Sequence, residues 1–109
     1  MDIQKMWLLG IILLLIMVVL IQEAIQHVNY ATGNFSHAEG SGSHAEGENA
    51  HAEGSYGYAS GKSSHAEGYA NKANGEASHA EGYNTLARGN YSHAEGKGTV
   101  VDTEGGTVS

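Results

Sequence analysis

The chain has 109 residues, a formal net charge of −7 and no cysteine. That length holds one small domain and a tail, and leaves no room for the deep pocket of a larger enzyme. Five Lys and Arg without a basic run speak against nucleic acid as a partner. The missing cysteine excludes disulfides, a thiolate nucleophile and a lipid-modified Cys.

Residues 1–28 are mostly aliphatic, and Met6 to Ile21 is a run of sixteen residues with no charged or polar side chain. As a helix this run measures roughly 24 Å, against roughly 30 Å for the hydrocarbon core of a bilayer. Ala24 and Ile25 extend its apolar face past Gln22 and Glu23. Lys5 before the run and Glu23 after it favour an N-terminus inside and the rest of the chain outside. A cleaved signal peptide needs a small-x-small site close behind the run, and the nearest, Ala31-Thr-Gly33, already belongs to the repeat described below. A retained helix is therefore expected, and two environments stay open for residues 6–21. One is a membrane, with the helix as a single-pass anchor. The other is the protein core of a pilus-like extracellular filament. Met6, Gly10, Leu13, Met17, Leu20, Ala24 and His27 alternate by four and three, with Leu13, Met17 and Leu20 as candidate self-association contacts. Glu23 and His27 share a face just outside the apolar zone, where solvation at head-group level is expected.

Residues 29–109 hold fifteen of the sixteen glycines, and Ala-x-Gly recurs there every seven residues, ten times without a slip. The alanines are Ala31, Ala38, Ala45, Ala52, Ala59, Ala66, Ala73, Ala80, Ala87 and Ala94. So short a fixed period marks a chain built by stacking units, not by closing one irregular core. Written x-h-Ala-x-Gly-x-x, the unit suits a short strand and a tight turn, with Ala facing in, its two neighbours facing out and Gly freeing the turn. Methyl groups alone fill only a narrow flattened coil, so these ten alanines are the expected core.

Two units make a longer period of fourteen. His37, His51, His65, His79 and His93 keep it, while the interleaved units carry Tyr30, His44, Tyr58, Lys72, Leu86 and Val100. One wall is thus nearly uniform and the other varied. The double unit, Ser-His-Ala-Glu-Gly followed by x-x-Ala-x-Gly, resembles the head repeat of trimeric autotransporter adhesins, and similar arrays occur in tail-fibre and spike proteins of bacterial viruses. The likeness covers residues 29–98. It departs from the family where His and Glu replace Val and Ile, and in lacking a C-terminal coiled stalk or membrane barrel. It implies a left-handed parallel β-roll assembled as a homotrimer, with fourteen residues per coil.

In that family the residues flanking Ala face neighbouring rolls. Carried over, the pairs His37/Glu39, His51/Glu53, His65/Glu67, His79/Glu81 and His93/Glu95 line the subunit contact. A ladder of His–Glu hydrogen bonds around a three-fold axis is the expectation, since stacked carboxylates repel unless paired. The same His-x-Glu units, in three-fold copies, also form a candidate site for Zn²⁺ or Ni²⁺. A motif repeated at every coil reads first as structure, so no cofactor is required. Histidine columns also make acid sensitivity an expectation, of undetermined sign.

Tyr56, Tyr58, Tyr69, Tyr83 and Tyr91 fall at outward or turn positions, as candidate contacts for a glycan or a cell-surface receptor. Phe35 is expected to plug the start of the roll. Val101 and Val108 replace Ala, and Thr103 replaces Gly, so residues 99–109 read as a terminal cap at the end of the protein. No Ser/His/Asp order, phosphate-cradling loop or HExxH is present. The expected function is that of a non-catalytic, self-associating cell-surface or extracellular protein. A pilus-like filament subunit and a tail-fibre-like receptor-binding module are the alternatives.

Overall fold

In the computed structural model, which describes residues 2–109 except for the side chains of 23–26, one helix leads into a parallel β-solenoid. The helix runs from Ile3 to Gln26, 24 residues. Asp2 starts it: its Oδ1 accepts the Gln4 N–H at 2.9 Å, and its carbonyl accepts the Met6 N–H at 3.1 Å. At about 36 Å it is longer than the apolar run alone, because polar residues continue it at both ends. Ile3–Gln22 has a mean hydropathy of 2.5 and buries nothing against the rest of the chain. Leu13, Met17 and Leu20 are exposed, and so are Trp7, Ile11 and Val19 around the circumference. Spacing alone, not burial, distinguishes the four-three seam. The expected solvation of Glu23 beside His27 falls on a side chain outside the described ones. His27 itself joins helix to solenoid, its carbonyl accepting the Gly42 N–H at 3.2 Å and its Nδ1 lying 3.1 Å from Ser41 Oγ.

The solenoid has two six-stranded parallel sheets and about fourteen residues per turn. One sheet stacks Tyr30–Ala31, His44–Ala45, Tyr58–Ala59, Lys72–Ala73, Leu86–Ala87 and Val100–Val101. The other stacks His37–Ala38, His51–Ala52, His65–Tyr69, His79–Tyr83, His93–Lys97 and Thr107–Val108. Register is set by the fourteen-residue period, with His65 opposite His79 and Ala66 opposite Ala80. Strand amides donate forward into the next coil, as from His51 N to Ser64 O at 2.9 Å and from His65 N to Ser78 O at 2.9 Å.

Alanine methyls make the core. Ala45, Ala52, Ala59, Ala66, Ala73, Ala80, Ala87 and Ala94 are fully buried and Ala38 is half-buried. Ala31 departs from the expected core. It keeps the register but is exposed, because the first coil has none before it to close over the methyl. Residues 99–109, expected as a cap, continue both sheets by one further coil, with Val101 buried in the alanine slot and Val108 41% exposed.

The corners extend one expectation and correct another. A left-handed residue recurs every seven positions, and at eight corners it is not glycine: Phe35, Asn49, Tyr56, Ser63, Ala70, Ala77, Asn84 and Tyr91, with φ between 53° and 60°. This inversion turns the corner amide round, so that it donates backward, as from Ala77 N to Lys62 O and from Ala70 N to Ser55 O, both 2.8 Å. Phe35 is such a corner, and its ring is 88% exposed; it plugs nothing. The repeat glycines after the His-wall alanines, Gly40, Gly54, Gly68, Gly82 and Gly96, do supply the expected backbone freedom, with φ between 95° and 107°, while those of the other wall are required by close approach alone. A Cβ on Gly61 would stand 2.0 Å from the Gly75 carbonyl oxygen of the next coil.

Candidate functional site: the His–Glu wall

In Ser-His-Ala-Glu the strand alternation sends Ser and Ala inward and His and Glu outward. The inward serines close the preceding turns. Ser64, Ser78 and Ser92 are buried, and each hydroxyl donates to the carbonyl of the glycine three residues earlier, Gly61, Gly75 and Gly89, at 2.6, 2.7 and 2.5 Å. Asn71 does related work at the opposite corner. Its amide nitrogen donates to the Glu67 and Gly82 carbonyls, while its Oδ1 accepts from the Thr85 amide at 2.8 Å and the Thr85 hydroxyl at 2.9 Å. Neither the serine column nor Asn71 is singled out by sequence reasoning. The signal available was a polar residue kept at an inward position.

Outside, the imidazoles of His51, His65, His79 and His93 form a stacked column. Successive ring centroids are 4.8 Å apart, with interplanar angles of 4°, 5° and 27°. His37 begins the column edge-on to His51 at 5.0 Å. Each inner Nε2 lies between two carboxylates, one from its own strand and one from the coil before. For His65 these are Glu67 at 4.0 Å and Glu53 at 3.4 Å; for His79, Glu81 at 3.9 Å and Glu67 at 3.1 Å. His93 repeats the pattern with Glu95 at 3.7 Å and Glu81 at 3.2 Å. At the start, His37 lies 3.4 Å from Glu39, and His51 lies 3.5 Å from Glu39 and 3.7 Å from Glu53.

All ten expected wall residues therefore come together, in a ladder within one chain. That changes the physical account of the carboxylates: the next coil already supplies Glu39, Glu53, Glu67 and Glu81 with an imidazole, before any second subunit is considered. These pairs are about one-third exposed in the middle of the wall, so each contributes modestly. One atom is left over. His51 Nε2 is shielded from solvent and has no hydrogen-bond partner.

Beside the ladder runs a groove of about 700 Å³, lined by Glu39, Glu53, Glu67 and Glu81 and the glycine that follows each. Tyr69 and Tyr83 stack at 5.2 Å on the strands that carry two of those glutamates. At the end of the wall, Thr107 stands where a histidine would. There the Ser109 hydroxyl donates to Glu95 Oε1 at 2.5 Å, and this bond is the main cause that holds the Glu95 carboxyl below its ordinary range.

The opposite wall is mixed. Tyr30, His44 and Tyr58 stack at 4.9 and 4.5 Å, the Lys72 ammonium sits 5.8 Å from the Tyr58 ring, and Leu86 and Val100 finish the column. His44 has one carboxylate neighbour there, Glu46 at 3.9 Å. Compared with protein-family models, with curated proteins and with solved structures, the chain matches none.

Proposed function

We propose that this protein is a non-catalytic, self-associating surface protein, held by its N-terminal helix and displaying the solenoid outside the cell as a homotrimer. One observation carries the reading: an apolar helix of membrane-spanning length has no face covered by its own chain. So large an apolar surface needs lipid or copies of itself around it. The uniform His–Glu wall supports the trimer, because a repeated outer column offers the same contact at every coil. The resemblance of residues 29–98 to adhesin head repeats supports it further.

The same exposed helix, with its Leu13, Met17 and Leu20 seam, also suits a bundled filament core, and that is the second reading. Light scattering on a sizing column, with the full-length chain in mild detergent, separates them. A discrete trimer mass is expected. Very large, detergent-resistant species would favour the filament, and a monomer would remove the trimer.

A further inference from the structure

We propose that the His–Glu wall carries a divalent transition-metal site built within one chain, with His51, Glu53 and His65 as its ligands. Four triples on this wall bring one donor atom from each member within 4.8 Å of the others. Only two contain two imidazoles and one carboxylate, and both use His51. Such a donor set suits Zn²⁺, Ni²⁺ or Cu²⁺ better than the hard cations Mg²⁺ and Ca²⁺.

Burial, not distance, favours the triple with His65. The Glu53 carboxylate bridges the two rings, Oε2 lying 3.7 Å from His51 Nε2 and Oε1 3.4 Å from His65 Nε2. A tetrahedral ion with ligands at about 2.0–2.1 Å separates neighbouring donors by about 3.4 Å. The carboxylate is thus almost in place, and the two stacked rings need only tilt their Nε2 edges together. The competing triple exchanges Glu53 and His65 for His37 and Glu39; its carboxylate bridges the rings at 3.4 and 3.5 Å, but those two side chains are 64% and 54% exposed, against 31% and 35% for Glu53 and His65, and so are less held. One nitrogen serves one ion, so the two triples are alternatives.

The second observation is the state of His51. Its Nε2 is shielded from solvent, and its nearest carboxylate oxygens, of Glu39 and Glu53, stand at 3.5 and 3.7 Å, whereas His65, His79 and His93 each reach one at 3.4, 3.1 and 3.2 Å. A shielded nitrogen with only long contacts is the least satisfied of the column, and an ion placed between it and Glu53 satisfies it. The groove lined by Glu53 and Gly54 leaves room for a water as fourth ligand. All three donors come from a single chain, so the site does not depend on the trimer.

The test is a calorimetric titration of the untagged, metal-stripped full-length chain in detergent with Zn²⁺, followed by Co²⁺ as a spectroscopic probe. One tightest site per chain is expected, with the intense visible absorption of tetrahedral Co²⁺. His51→Asn and His65→Asn should each weaken that site at least tenfold, while His44→Asn, on the other wall, should leave it unchanged. Circular dichroism checks that each variant folds, and Glu53→Gln answers if either histidine variant does not. The proposal is overturned by absence of a tight site, by its survival in both histidine variants, or by equal weakening in His44→Asn.

Discussion

The two walls of the solenoid share a backbone and a core, yet they solve the problem of stacking like side chains differently. On the uniform wall every coil repeats His and Glu, and repulsion along the glutamate column is met by an imidazole reaching back one coil, as His79 does to Glu67 at 3.1 Å. On the varied wall the column changes from Tyr to His to Tyr to Lys to Leu to Val, so no like charges meet and no pairing is needed. The methyl core and the left-handed corners repeat every seven residues; the glycine conformation and the outward chemistry repeat every fourteen. Folding depends on the first period, and whatever is specific to the surface depends on the second.

The glycines test whether the walls really share their backbone demands. Gly61→Ala, after a varied-wall strand, puts a Cβ 2.0 Å from the Gly75 oxygen; overpacking of this kind costs about 1–3 kcal/mol or more. Gly68→Ala, within a His-wall strand, meets the Gly82 oxygen at 2.3 Å and must also adopt a φ of +104°, a further cost of about 1–3 kcal/mol. Gly96→Ala has that backbone conformation, but nothing nearer than 3.5 Å. Thermal denaturation should therefore rank the losses Gly68 first, Gly61 next and Gly96 least. Equal losses at Gly61 and Gly96 would remove close approach as the reason for the repeat glycines.

Smaller effects separate inside from outside. Ser64→Ala deletes a buried hydroxyl bonded to Gly61 and should cost about 1 kcal/mol by denaturant titration. His79→Ala removes a partly exposed partner of Glu67 and Glu81 and should cost less than about 1 kcal/mol. Lys72→Ala, at the equivalent place on the varied wall, should cost almost nothing. A loss at Lys72 as large as at His79 would mean that the ladder contributes no more than any exposed column.

Much of this was legible because Ala and Gly hold their places through ten successive units: the strict period announced the coil, the methyl core and the fourteen-residue register. The outward His and Glu followed from strand alternation. The corners did not. Ala70, Ala77, Tyr56 and Phe35 have no preference for the left-handed region, so nothing in their type marks them as turn residues, and Phe35 read naturally as a hydrophobic plug. Nor could spacing tell whether Glu67 meets His79 in its own chain or a histidine in another, since both distances depend on coil geometry. Ala77→Gly probes the hidden corner directly. Relief of the left-handed backbone, about 1–2 kcal/mol, is offset by about 0.5–1 kcal/mol of added chain entropy. A net gain of about 0.5 kcal/mol, seen as a raised midpoint, is expected.

The smallest effect lies where the uniform wall stops being uniform. Glu95 has His93 on its own strand, but the next coil offers Thr107 and Ser109 in place of His and Glu. The Ser109 hydroxyl, more than any imidazole, stabilises the charged carboxylate and depresses its pKa. The sign follows from linkage. A depressed pKa adds stability that is present above the ordinary value of 4.5 and is lost as pH falls through the folded-state value. Ser109→Ala should return Glu95 towards the ordinary range and narrow that acid window, read by carbon-detected titration of the Glu95 carboxyl. If the titration does not move, Glu81 and the histidines, not the Ser109 hydroxyl, stabilise the charged Glu95 carboxylate, and the end of the wall is no longer set apart by its hydroxyl.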